Sequence, residues 1–152
     1  MANRSFYDGG QGDPVSWFRG KVARIEDGTD KALEQAVEDG AAIMKELIET
    51  RGTGKSWSRP SPSGRTGSIP GRVDSGEMRD AVTSYFNPGT AKGNAVGQFG
   101  WRTNRKDYFG LQEGGFQHTS GVYVEGMYAM VDSAELAWRQ FERDAGEALK
   151  NA

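Results

Sequence analysis

The sequence predicts an α+β fold in which long N- and C-terminal helices pack on a small antiparallel sheet, with a long flexible loop between them. Three observations predict it. Apolar residues recur at helical spacing near both ends of the chain. Two β-branched and aromatic segments flank Asn87-Pro88-Gly89. A stretch rich in Pro, Gly and Ser separates the first helical region from the rest. At 152 residues the chain is one domain, with no internal repeat.

Residues 1–12 are polar and Gly-rich and read as an arm that orders against a partner. Asp13-Pro14 resembles a helix start, a capping carboxylate followed by proline at the first helical position. Val15, Phe18, Val22 and Ile25 follow at helical spacing, and Asp27-Gly28 is read as the stop. Thr29 is then the cap of a second helix reaching Arg51, with Leu33, Ala36, Val37, Met44, Leu47 and Ile48 as its apolar stripe and Gly40 a point of close packing. Arg51-Gly52 ends it, a cation in the last turn and a glycine beyond.

Residues 52–72 form an extended basic loop carrying Lys55, Arg59, Arg65 and Arg72 without one acid. Asp74 or Ser75, followed by Gly76, caps and turns a short helix. Residues 83–86 and 95–101 read as antiparallel strands. Residues 108–112 are a short helix ending at Gly114-Gly115, and residues 122–125 are a brief extended piece. The last helix is predicted over residues 126–149, with Met127, Met130, Val131, Ala134, Trp138, Phe141, Ala145 and Leu149 as its buried stripe.

Composition narrows the function classes. The net charge is -2, unlike the strongly basic domains that coat nucleic acid. No cysteine is present, which removes disulfides, thiolate metal sites and a cysteine nucleophile. His118 is the one histidine, in a polar loop without metal-ligand spacing around it, so neither a metal site nor a catalytic triad is read there. No catalytic residue and no cofactor are expected. Gly52-Thr53-Gly54-Lys55-Ser56 resembles the end of a phosphate-binding loop, but Glu49 stands where that motif needs glycine, and a helix precedes it instead of a strand. Apolar runs are too short to cross a membrane, and the first residues lack an apolar leader, so folding in a reducing cytosol is the plain reading.

Leu, Ile, Val and Phe make up about one residue in six, a thin core that points to support from neighbouring subunits. Candidate subunit or partner contacts are Arg51, Lys55, Trp57, Arg59, Arg65 and Arg72 in and around the basic loop, with Trp101 and Phe109 as aromatic anchors. The basic loop with Trp57 also fits a nucleic-acid surface. Docking on an acidic neighbouring subunit is favoured, because the whole-chain charge supplies no steering field. Trp138, Phe141, Met127 and Met130 are read as core. Glu113, Gly114 and Gly115 are read as a turn, with Glu113 hydrogen-bonded to loop amides.

The segments Arg72-Val73-Asp74-Ser75-Gly76-Glu77-Met78-Arg79-Asp80-Ala81-Val82 and Tyr108-Phe109-Gly110-Leu111-Gln112-Glu113-Gly114-Gly115, set between a long first helix and an amphipathic last one, carry a resemblance. Over roughly residues 29–150 the layout resembles the minor tail, or head–tail joining, proteins of long-tailed bacteriophages, also called tail-completion or neck proteins. In place of the family's Pro-Phe pair before the last helix the chain has Val124-Glu125-Gly126-Met127-Tyr128-Ala129, and its basic loop is longer than the family's. The resemblance implies a single neck-like domain over residues 1–152, a structural virion protein without enzymatic activity. It also implies a homo-oligomeric, sixfold ring that completes or terminates the tail. Its implied partners are the head-closure and tail tube proteins, with DNA in the channel as a further candidate. The alternative reading is a nucleic-acid-contacting accessory protein using the 52–72 loop.

Overall fold

The structure is a computed structural model and describes residues 14–52, 77–91, 93–101, 107–117, 121 and 123–152. The arm, most of the basic loop with Lys55, Trp57, Arg59, Arg65 and Arg72, the Asp74-Ser75-Gly76 turn and His118 lie outside the described residues.

Where two helices were expected there is one. Helix α1 spans Pro14–Gly52, 39 residues, about 58 Å at the rise of an α-helix. Asp27-Gly28 does not stop it. Asp27 pairs with Lys31 one turn on at 2.8 Å, and the Thr29 hydroxyl donates to the Ile25 carbonyl at 2.8 Å rather than capping a new helix. Gly28 is there for packing. A Cβ at this position would lie 2.6 Å from the Ala148 Cβ of the last helix. Local sequence read this glycine as punctuation, and tertiary packing uses it as a gap.

That gap makes an unusual prediction. Alanine for glycine inside a helix ordinarily stabilises by about 1 kcal/mol. Gly28→Ala is expected to destabilise by about 1–2 kcal/mol through overpacking, and Ala148→Gly in the same chain to recover most of the loss. Thermal melting of the two single variants and the double variant checks it.

The last helix, α4, spans Ala129–Asn151 and lies antiparallel to α1. The pairing is read from one end to the other. Arg24 donates to the Ala152 carbonyl at 3.0 Å, Gln140 to Asp39 at 2.6 Å, and Arg51 pairs with Asp132 at 2.7 Å. Small residues, Ala129, Ser133 and Ala137, form the buried side of α4.

Between the two long helices run α2 (Glu77–Asp80), β1 (Val82–Asn87), β2 (Val96–Trp101), α3 (Asp107–Gly114), β3 (Gly115–Gln117) and β4 (Tyr123–Glu125). The β1–β2 hairpin is antiparallel with Val82 opposite Trp101 and Asn87 opposite Val96, as the two apolar segments predicted. It lies on α1, where Gly40 and Gly97 allow the approach. A Cβ on Gly40 would meet the Phe99 ring at 2.5 Å, and one on Gly97 would overlap Cγ2 of Val37. The second pair, β3 with β4, sets Phe116 opposite Val124 and Gln117 opposite Tyr123.

The core gathers at one end of the molecule. Ala41, Met44 and Ile48 of α1 pack with Met78, Val82, Phe109, Met127 and Ala129. Among the described residues, the opposite end of α1 has no such cluster.

Candidate functional site

Two arrangements are built around α4, one polar and one apolar. The polar one lies at its first turn. Every α-helix begins with four amides that have no partner inside the helix. No Ser, Thr, Asp or Asn precedes α4; its capping position is Tyr128, held at φ 53 in the left-handed region and making no side-chain cap. Glu113 does the capping from α3. Its carboxylate accepts from the amides of Ala129 (3.0 Å), Met130 (2.7 Å) and Val131 (3.3 Å), and its own carbonyl accepts from Tyr128 at 3.1 Å. The first bond within the helix, Asp132 to the Tyr128 carbonyl, follows directly. One residue therefore satisfies the whole helix start.

Glu113 was expected to bond loop amides. It does bond backbone amides, but those of a helix sixteen residues on. This also explains why the helix begins at Ala129 and not at 126: Met127 stays outside it, 1% exposed, its amide donating to the Gln112 carbonyl at 2.8 Å. Burial pushes the Glu113 carboxyl above the usual carboxylate range; the three amides and the nearby Arg51 charge pull it down without cancelling that effect. Gly115 takes φ +82, the turn that Gly114-Gly115 predicted.

Arg51, expected in a partner contact, belongs to the same clamp. Its guanidinium donates to the Met127 carbonyl at 2.6 Å and pairs with Asp132, joining the end of α1 to the start of α4. The two aromatic anchors are also internal. Phe109 is 1% exposed, its ring tilted against Trp101 (5.5 Å) and edge-to-face with Tyr108 (4.8 Å). Trp101 is partly buried, its indole donating to the Met78 carbonyl at 2.9 Å. Phe109 faces inward because it packs into the core with Met44, Ile48, Met78, Val82 and Met127, and Trp101 packs against that cluster, which their glycine-rich surroundings did not reveal.

The apolar arrangement reverses another expectation. Large residues of α4 were read as its buried stripe, yet Trp138 is 59% exposed, Val131 48% and Met130 39%; Leu149 is exposed too. The small residues take the α1 side because they let the two backbones approach closely. The large ones are displaced to an adjoining face that a two-stranded hairpin is too narrow to cover. There they line an open groove of about 780 Å³, with Leu33 and Val37 of α1, Phe99 of β2, and Met130, Ala134, Trp138 and Phe141 of α4 on its walls. Trp138 and Phe141 pair at 5.6 Å. The same 3.6-residue period identifies this face in the sequence, but periodicity does not say which side of a helix finds a partner.

No cluster of His, Asp and Glu among the described residues could hold a metal ion, and no described helix is long and apolar enough to cross a membrane. No protein-family profile, curated protein or solved structure matches the chain.

Proposed function

We propose that this chain is a structural subunit that assembles with other proteins through its α4 face, and that its assembly is a ring at the head–tail junction or upper tail of a bacteriophage. The observation that carries the reading is the groove. A lone domain gains nothing by presenting Trp138, Val131 and Met130 to water, whereas a subunit buries them on assembly. A core gathered at one end of the molecule agrees with a protein whose stability is completed by neighbours. The neck assignment, its sixfold symmetry and its partners, the head-closure and tail tube proteins, rest on the resemblance carried by residues 72–82 and 108–115. A ring subunit requires matching surfaces and no catalytic residues.

Electron microscopy of a lysate in which the gene for this chain alone is disrupted tests the reading. Filled heads beside free tails, or tails of uncontrolled length, are expected, and the length distribution separates joining from termination. Intact infectious particles would overturn it and bring forward the nucleic-acid reading of the basic loop.

A further inference from the structure

Helix α1 is longer than any described element packed against it. Arg24 donates to the Ala152 carbonyl and Gly28 packs on Ala148, so residues 14–23 lie past the described residues of α4 by about 15 Å. Gly93, in the turn of the β1–β2 hairpin, lies beside Glu26 and bonds Asp30, so the hairpin does not cover this projection either. On it Val15 is 53% and Phe18 61% exposed; Trp17 is 44% exposed with the Lys21 ammonium 4.7 Å above its ring. Val15, Phe18 and Val22 stand at positions i, i+3 and i+7, the spacing of a helix that lies in an apolar groove.

We infer that this projecting end of α1 occupies the Trp138 groove of a second copy of the chain. It cannot reach its own groove. The two sites sit on one continuous helix, about 28 Å apart along its axis between residues 16 and 35. The lengths agree, since the α4 wall from Met130 to Phe141 runs about 16 Å. Charges agree as well. The projection, residues 14–23, carries Arg19 and Lys21 and no acid, while Glu135 and Glu142 flank Trp138 on the exposed side of α4, Glu135 in company with Arg139. Projection and groove are unlike surfaces, so the contact is head-to-tail and propagates to a closed ring or a filament. The inference names the subunit contact of the proposed ring and rests on that reading for its biological setting.

Complementation between two surface variants tests it. Phe18→Glu removes the projection and Trp138→Glu removes the groove; both residues are exposed, so each variant keeps the wild-type helical signal and a cooperative melt, its midpoint lower only by what assembly adds to the wild type. In sedimentation velocity the full-length wild type is expected to form multimers. Each variant alone is expected to be monomeric, its self-affinity weakened at least about tenfold. An equimolar mixture should give a one-to-one dimer that grows no further, because one groove and one projection remain intact. A monomeric wild type, a variant that still assembles, or a mixture that stays monomeric would each overturn the contact. Rings that persist in both variants would do so while leaving the ring itself standing; the ring reading falls separately, on intact particles in the disrupted lysate.

Discussion

Glu113→Ala is expected to lower the stability of the fold by about 3 kcal/mol, one of the two largest effects of any single substitution predicted for this chain. The change removes the carboxylate that accepts from the amides of Ala129, Met130 and Val131, and Glu113 is only 6% exposed, so water does not simply take its place. Arg51 keeps Asp132 but loses the second negative charge nearby. Urea denaturation should show the midpoint falling with little change in slope. Glu113→Gln keeps one accepting oxygen and should cost about 1 kcal/mol at neutral pH.

The pH dependence of the pair of proteins has a definite sign. Burial raises the folded-state pKa of Glu113 above its unfolded value, so the fold favours the protonated carboxyl. The contribution is fully present below the ordinary carboxylate pKa and is lost as pH rises through the raised folded value. Wild-type stability relative to Glu113→Gln should therefore be greatest in acid and decline across that interval. A difference that grows with rising pH there would contradict the stated balance of burial over hydrogen bonding.

Gly126→Ala should be comparably damaging, about 3 kcal/mol, for a steric reason. A Cβ at Gly126 would lie 2.6 Å from the Gly114 carbonyl carbon and 2.8 Å from the Gly115 nitrogen, and would overlap the Glu113 carbonyl oxygen. Those are backbone atoms, which cannot swing aside as a side-chain end can. Relief requires moving the junction of α3 and β3, which carries Glu113, away from the start of α4. The two substitutions strike one joint, so Glu113→Ala with Gly126→Ala should cost clearly less than the sum of the single effects. Strict additivity in a double-mutant cycle would show the two sites to be independent.

The local code was legible where a segment's own residues decide its conformation. Apolar spacing from Leu33 to Ile48, the β-branched and aromatic segments of the hairpin, the Arg51-Gly52 helix end and the Gly114-Gly115 turn all appear where the sequence placed them. Tertiary structure decided the rest. Asp27-Gly28 carries every local sign of a helix stop, yet the helix continues because Ala148 packs into the space that the glycine leaves. The start of α4 has no local cap because its cap is Glu113. Phe109 is covered by the core residues of α1, α2 and β1, and Trp101 packs against that cluster, while Met130 and Trp138, equally apolar, are left outside. Composition and periodicity state how much apolar surface a helix has to bury. Which part is buried within the chain depends on where the neighbouring elements end, and here α4 offers its alanines to α1 and its aromatics to a groove that the chain's own hairpin is too narrow to close.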